Sequence, residues 1–317
     1  MEANRWTLSD YLQIGFGGFP FGGLMSIDVT YRCNLNCLHC YFSRQDFASE
    51  LSADKWIDLL EKMKSRGKPL YICGWLGGEP LLRPEVIESG RTFFKSNIIF
   101  TNGTFELPPW DDCTFVVSVP GTKIHYQELT GADDKVYDLV KDHANRPELN
   151  VIISFCITRR NVSSILGFLS EWQNDTRIRG VFFEFHTPRM GEGKELWLDW
   201  PERDHVLDTL LALKKTYGDF IYNTFQMLEL MKSQPLQKIL SDCPFTYVGL
   251  SLDPMGHPKF PCTLGPEADC DRCGCILPIF SSILYKRGWL IRAFFEGIKR
   301  DFRERRKRGG SHVKTGE

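Results

Sequence analysis

Arg32-Cys33-Asn34-Leu35-Asn36-Cys37-Leu38-His39-Cys40 places three cysteines at C-x3-C-x2-C, directly after an apolar run that ends at Thr30. Three thiolates at this spacing suit three irons of a [4Fe–4S] cube, and nothing nearby supplies a fourth. Iron–sulfur clusters are usually closed by four cysteines, so the fourth iron is left for another ligand. The competing reading is a zinc knuckle. Zinc asks for a fourth Cys or His at a compatible spacing, and His39 lies too close to its neighbouring cysteines to ligate the same ion easily.

A second stretch decides between the two. The strand-like run Pro69-Leu70-Tyr71-Ile72-Cys73-Gly74-Trp75-Leu76 leads into Gly77-Gly78-Glu79-Pro80. Glycines let the backbone approach a ligand closely, and a carboxylate beside them can accept charge-assisted hydrogen bonds from an ammonium group. The cysteine loop followed by this GGEP segment resembles the radical S-adenosylmethionine (SAM) superfamily. That resemblance implies a [4Fe–4S] cluster on Cys33, Cys37 and Cys40 whose open iron binds SAM. It also implies reductive cleavage of SAM to a 5′-deoxyadenosyl radical that attacks an unactivated carbon centre, as an oxidoreductase or transferase.

At 317 residues, with 42% hydrophobic and 25% charged residues, the chain has the profile of a globular protein with a substantial core. No apolar run reaches the ~18 residues expected of a transmembrane helix, and the N-terminus lacks the basic-then-apolar order of a signal peptide. A cytoplasmic protein is expected. The eleven cysteines are an odd number in a long chain without a secretory signal, which argues for metal rather than a disulfide scaffold. The net charge of −1 argues against broad affinity for nucleic acid.

Strand-like and helix-like segments alternate after the cysteine loop, as in a parallel sheet with crossover helices. Strands are expected at Leu24–Thr30, Pro69–Leu76, Asn97–Thr101, Thr114–Val119, Asn150–Thr158 and Gly180–His186, and helices at Ser52–Arg66, Pro84–Lys95, Lys135–Ala144 and Asn161–Trp172. Between the third and fourth strands, residues 103–112 hold two prolines and predict an irregular crossover. The fold class is α/β: a partial (β/α)6 TIM-like barrel with a small cysteine-rich C-terminal extension and a basic amphipathic C-terminal helix. The expected divisions are residues 1–23, a core over 24–200, an extension with an auxiliary metal site over 201–282, and a basic tail over 283–317.

TIM-type barrels put their chemistry at the carboxyl ends of the strands, and the cysteine loop, Gly77–Pro80 and Asn102 all fall on that rim. By position in the family, Ser118 and Ser154 are candidates for hydroxyl contacts to SAM, and each is equally readable as a small packed strand residue. Arg189, in the tail of the sixth strand, matches a family segment that lines the adenine, and His39 stands where the family has an aromatic near that ring. Glu184 and His186 share one strand face, since strand side chains alternate. If that face is the lumen, the pair binds substrate or moves a proton; if not, helix contacts satisfy it.

Cys243, Cys262, Cys270, Cys273 and Cys275 gather five of the eleven cysteines in 33 residues. The pattern C-x12-G-x5-C from Cys243 through Gly256 to Cys262 looks like the opening of twitch and SPASM extensions, which hold auxiliary [4Fe–4S] clusters. One residue too many follows the glycine, and the compact Cys270–Cys275 segment does not reproduce the longer SPASM series. One auxiliary cluster is expected, with a structural zinc as the alternative. Cys73, Cys113 and Cys156 read as small hydrophobes.

From Lys286 to Arg308 ten Lys or Arg face three acids, and apolar residues at 284, 291, 295, 298 and 302 recur with helical spacing. This is how interfacial membrane helices look; a helix packed on the barrel with a basic tail is the plainer alternative. The order of elements also resembles the branch that includes adenosylhopane synthase, whose members act on lipids. A lipid substrate and peripheral membrane contact follow from that likeness. The alternatives are a twitch-type enzyme modifying a peptide or cofactor precursor, and a non-enzymatic Fe–S electron carrier or sensor. A flavodoxin or ferredoxin-type reductant is the partner the chemistry calls for.

Overall fold

The computed structural model describes residues 6–42 and 49–285. The elements run α1 Leu8–Gly17, β1 Leu24–Asp28, α2 Ala53–Ser65, β2 Ile72–Leu76, α3 Pro84–Gly90, β3 Ser96–Thr101, β4 Cys113–Ser118, α4 Lys123–Thr130, α5 Asp134–Ala144, β5 Asn150–Ile157, α6 Ile165–Asp175 and β6 Val181–Phe185. The extension follows with α7 Trp200–Tyr217, α8 Phe225–Leu230, α9 Ser233–Leu240, α10 Phe245–Val248, β7 Gly249–Leu252, β8 Pro258–Lys259 and α11 Leu277–Tyr285. All six expected strands form, each within a few residues of its predicted bounds, and residues 103–112 cross over without a helix.

The strands line up as β6-β5-β4-β3-β2-β1-β7-β8, parallel except for the antiparallel β7–β8 pair. Six strands were expected from the sequence and eight form. The extension does not hang beside the barrel: β7 pairs with β1 in register Leu24↔Gly249 and extends the sheet. All five residues of β1 are buried, as an interior strand requires. Gly249–Leu252 is four residues long, too short to show a period in the sequence.

Period-two alternation gives the sheet its two faces. Ile27, Trp75, Ile99, Phe115, Val117, Phe155 and Phe183 point outward and are covered by Trp56 and Leu60 of α2, Tyr137 and Val140 of α5, and Phe168 and Trp172 of α6. The Phe155 and Phe168 rings meet edge to face at 5.0 Å. Each such large apolar side chain stabilises the fold by roughly 1.5–3 kcal/mol on burial. The opposite, concave face carries small or polar residues at many positions and encloses a cavity.

Local chemistry sets the helix ends. Ser52 caps α2 by accepting from Lys55 N, and Asp133 caps α5 by accepting from Lys135 N. Asp199 and Glu202 form a reciprocal capping box at the start of α7. The helix expected over Pro84–Lys95 ends early, at Gly90, where a Cβ would meet the Trp75 ring at 2.5 Å. The helix expected from Asn161 begins only at Ile165, because the Asn161 side chain accepts from Thr158 N at 2.7 Å and closes the turn after β5 instead.

Two expected boundaries fall inside elements. The division at 200/201 cuts the first turn of α7, and that at 282/283 cuts α11, whose Ile279 and Leu284 are buried. The basic amphipathic helix expected beyond Tyr285 lies outside the described residues. Among the described residues no helix is long and apolar enough to cross a membrane.

Candidate active site

The concave face of the sheet lines a cavity of about 1660 Å³ that runs from the N-terminal ends of the strands, near Trp6 and Leu24, to the cysteine loop at their carboxyl ends. Cys33, Cys37 and Cys40 all line it. The loop is tied down on several sides. Leu38 N donates to Leu129 O at the end of α4, and Glu50 accepts from Thr30 Oγ1 at 2.6 Å and Tyr31 N at 2.8 Å. Phe42 N lies 3.3 Å from Cys40 Sγ, and Asn102 Nδ2 reaches Cys33 Sγ at 3.8 Å. Burial raises the Cys33 thiol and, with Cys40 and Cys33 adding to it, pushes Cys37 up to about 12. A metal centre here must therefore displace thiol protons. Among the described residues no group of three or more His, Cys, Asp or Glu stands close enough to hold a metal ion; the loop's three thiols share one cavity wall. Three sulfur donors on one loop, with open cavity beside them, are a donor set that a [4Fe–4S] cluster can take.

Gly77 and Gly78 also line the cavity, but the close approach they permit is to the cysteine loop itself. Gly77 sits at φ 125°, and a Cβ there would come within 2.5 Å of Thr30 O; a Cβ on Gly78 would come within 2.1 Å of Arg32 O. Gly78 N donates to Thr30 O and Glu79 N to Arg32 O, each at 2.8 Å. The two segments are thus sewn together by main chain, with no room for side chains between them. The carboxylate expected to meet an ammonium is used inside the protein. Glu79 is buried and outside the cavity lining, and it accepts from Leu81 N at 2.9 Å, Thr101 Oγ1 at 2.8 Å and Asn102 N at 2.7 Å. Burial raises its carboxyl to about 6 against the pull of those three bonds. Pro80 opens the next turn and is buried behind the wall. Asn102, anchored by Glu79, does face the cavity, and its side chain bridges to Asn34 Oδ1 at 2.8 Å.

Ser118, Ser154, Glu184 and His186 line the cavity, so their strand face is the lumen. Ser154 Oγ donates to Glu184 Oε1 at 3.3 Å. Burial raises the Glu184 carboxyl, with the Ile276 N–H and Ser154 pulling the other way. His186 Nε2 lies 3.0 Å from Glu192 Oε1, and burial lowers its pKa. His39 is in the wall with its Nδ1 lacking any partner, and burial, helped by His186, drives it down to about 4. Arg189 lies outside the cavity: its Nη2 donates to Cys40 O at 3.2 Å and to Tyr41 O, so the guanidinium braces the far side of the cysteine loop.

The second cysteine group lies in the extension, between Cys243 and Cys275. Burial comes first in raising every one of its thiols; neighbouring cysteines add to it at Cys243, Cys262, Cys273 and Cys275, and Asp271 and Asp269 at Cys270. Cys262 reaches about 11 beside Cys270 and Cys243, Cys273 about 12 beside Cys262 and Cys243, and Cys275 is raised by Glu184, Cys273 and Cys262. Only Cys275 of the five lines the cavity.

Three features carried no strong signal in the sequence. Cys156 lies on the lumen face; alternation places it on one face with Ser154, and only the folded sheet shows that this face is the lumen. Lys259 pairs with buried Asp28 at the end of β1 and lies over the rings of Tyr41 and Phe42 at 5.7 and 5.4 Å, joining the extension to the cysteine loop. Arg203 of α7 is fully buried beside Cys273.

The family model for the Radical SAM superfamily matches residues 27–151. The AdoMet-dependent heme synthase of Methanosarcina barkeri is 37% identical over 90 residues, covering 27% of this chain and 25% of that protein. The mycofactocin maturase MftC of Mycobacterium tuberculosis is 28% identical over 189 residues, 54% of this chain and 46% of its own. The chain thus spans about a quarter to a half of the length of these relatives. Among solved structures, Streptococcus suis SuiB bound to S-adenosylmethionine superposes with a TM-score of 0.61 at 13% identity, over 89% of this chain and 72% of that one. The structure of anSMEcpe with bound AdoMet gives a TM-score of 0.55 at 16% identity, over 83% and 81%. Identities this low speak for a shared fold. The matched region opens on β1 and its cysteine loop, so residues 27–151 are similar to the radical SAM superfamily, whose members use a [4Fe–4S] cluster and SAM, and the sheet shares the fold of these SAM-bound structures.

Proposed function

We propose that the chain reductively cleaves SAM at a cluster held by Cys33, Cys37 and Cys40, and that it acts on an apolar substrate lodged deeper in the lumen. The observation that carries this reading is the convergence of the three loop thiols, Gly77, Gly78 and Asn102 on one end of a single large cavity. What the cluster and SAM would supply is a one-electron cleavage of the sulfonium that delivers a radical to a carbon centre. The chain's own residues bind and orient. Gly77 and Gly78 offer main-chain acceptors at the rim, Asn102 a side-chain amide, and Ser118 and Ser154 hydroxyls further along. His39, whose Nδ1 stands unpartnered in the wall, suits an adenine or ribose contact.

Glu184 lies between Ser154 and Cys275, where it can hold or move a proton on the substrate, and His186 is fixed in its tautomer by Glu192. In this reading residues 24–200 form the core and 201–282 complete it. Cys243, Cys262, Cys270, Cys273 and Cys275 supply an auxiliary cluster, and a flavodoxin or ferredoxin-type protein supplies electrons. A structural zinc is the alternative, since four thiolates also suit tetrahedral Zn²⁺.

The lower lumen favours an apolar ligand. Leu24, Ile72, Val116, Ile152, Phe182 and Phe280 line it, well away from the polar rim, and the volume exceeds the roughly 300–1,000 Å³ of ordinary small-molecule pockets. A lipid chain suits such a space. A second reading, modification of a cofactor precursor or peptide, has support from the relatives, which include a heme synthase and a maturase. Anaerobically reconstituted protein given dithionite and SAM should release 5′-deoxyadenosine; absence of cleavage would favour an electron carrier. Extraction of the purified protein followed by mass spectrometry separates the substrate classes. For the membrane contact, a chain cut after Tyr285 should lose co-sedimentation with anionic liposomes, and full co-sedimentation would remove the tail from the proposal.

A further inference from the structure

Arg203 stands in the first turn of α7 with no exposed surface, and among the described residues no carboxylate lies within ion-pair distance of it. The nearby acids are committed elsewhere: Glu202 pairs with Arg159, and Asp269 with Arg272. The guanidinium is instead held by four main-chain carbonyls. Nε donates to Leu198 O at 3.1 Å, Nη1 to Cys273 O at 2.8 Å, and Nη2 to Arg272 O at 2.9 Å and His186 O at 3.2 Å. Three rings surround its plane, Trp200 at 4.8 Å, Phe185 at 5.2 Å and Trp197 at 5.4 Å from the guanidinium carbon.

Dipoles and aromatic faces satisfy the hydrogen-bonding and part of the field of this cation, but they carry no net charge. Burying an unpaired charge is costly, and a cation over an aromatic face recovers only part of that cost. The anionic groups that could balance it are sulfurs. Cys273, whose own carbonyl receives Nη1, is buried and acts on Arg203 more strongly than Cys156, the other sulfur that does so. Its neutral thiol leaves the cation unbalanced; a metal-bound thiolate would balance it.

We propose that Arg203 is the counter-cation and positioning residue of the thiolate-ligated centre built on Cys273. This rests on the reading of the second cysteine group as a metal site. The geometry supplies both halves of the role. The planar fork clamps the backbone of Arg272 and Cys273 against the end of β6 at His186, which fixes where the Cys273 sulfur points. The charge offsets the negative thiolate in a place water does not reach.

The test uses the full chain with Cys33, Cys37 and Cys40 replaced by Ala, so that any metal taken up belongs to the second group. The parent, Arg203→Gln and Arg203→Lys are reconstituted with ferrous iron and sulfide. Iron retention against a chelator and the unfolding midpoint are then measured for loaded and stripped protein. Arg203→Gln should weaken metal retention by roughly 10–100-fold, the range typical of residues that support metal ligands. It should also lower the midpoint of the loaded protein more than that of the stripped protein. Arg203→Lys, which keeps the charge without the fork, should recover part of both. If the parent holds iron but Arg203→Gln lowers the two midpoints equally with retention unchanged, Arg203 is only a structural brace and the proposal is overturned. A parent that binds no metal overturns the metal site itself, and the proposal with it.

Discussion

The two cysteine groups sit within one sheet system, yet they face different surroundings. Cys33, Cys37 and Cys40 look into the cavity from a loop pressed against Gly77 and Gly78, while Cys243, Cys262, Cys270 and Cys273 stay out of the cavity and Cys273 is buried beside a cation. The first arrangement leaves room for a ligand beside its thiols; in the second Cys273 is buried, Cys243 and Cys262 are partly buried and Cys270 is exposed. The difference teaches that spacing along the chain does not decide the role of a thiol. The first loop faces the cavity and is pressed against Gly77 and Gly78, whereas Arg203 holds the Cys273 main chain on the other side of the wall.

The strongest way to break this contrast is to remove the first group. Replacing Cys33, Cys37 and Cys40 with Ala should abolish 5′-deoxyadenosine formation and remove about four irons per chain, while the metal of the second group stays. Product analysis and iron content measured together would refute the division of labour if cleavage survived or if both metal pools vanished.

A smaller change attacks the brace. Gly78→Ala puts a methyl where Arg32 O already stands, 2.1 Å away. Backbone must move, at a cost of about 1–3 kcal/mol by analogy with overpacked cores. A denaturant midpoint should fall accordingly and SAM binding with it, with metal retention in the second group unaffected. Wild-type SAM affinity in this variant would mean that the two main chains need not touch.

Glu79→Gln sharpens the same point through pH. The folded carboxyl is raised from the usual 4.5 to about 6, so the folded state binds this proton more readily than the unfolded one. Stability is therefore lost as pH rises from 4.5 through about 6, by about 2 kcal/mol. The amide keeps the acceptor for Leu81 and Thr101 but presents NH2 to Asn102 N, leaving that donor unpaired for roughly 1–3 kcal/mol. The variant should be less stable than wild type near pH 4.5, and the gap should narrow toward pH 7. A gap independent of pH would place the titration on another group.

The smallest expected effect lies at Arg189. Arg189→Lys loses the forked contact to Cys40 O and Tyr41 O. About 1 kcal/mol corresponds to roughly fivefold weaker SAM binding, without change in iron content. Calorimetric titration with SAM reads this directly; an unchanged dissociation constant would show that Glu50 and Leu129 hold the loop without it.

Much of this molecule could be read from the order of its residues. The C-x3-C-x2-C loop and Gly77–Pro80 carried the family, and apolar periodicity placed six strands and four helices, because both signals are local. The face of Glu184 and His186 was undecided in the sequence, since alternation says which residues share a face but not which face is the lumen. Only closure of the sheet answered that. The use of Glu79 as an internal acceptor, rather than as a ligand to an ammonium, was likewise invisible, because its three donors come from the segment that follows it and from the end of β3.

What the sequence carried alone is the likeness to the radical SAM superfamily, the C-x3-C-x2-C spacing of the loop and the parallel sheet, each encoded by neighbours in the chain. What the tertiary structure decided is that the extension adds β7 to the sheet beside β1, that the glycines serve the cysteine loop, and that Arg203 meets Cys273 across 70 residues. Those facts depend on long-range pairing of short segments and on burial of a charge, neither of which leaves a period in the sequence.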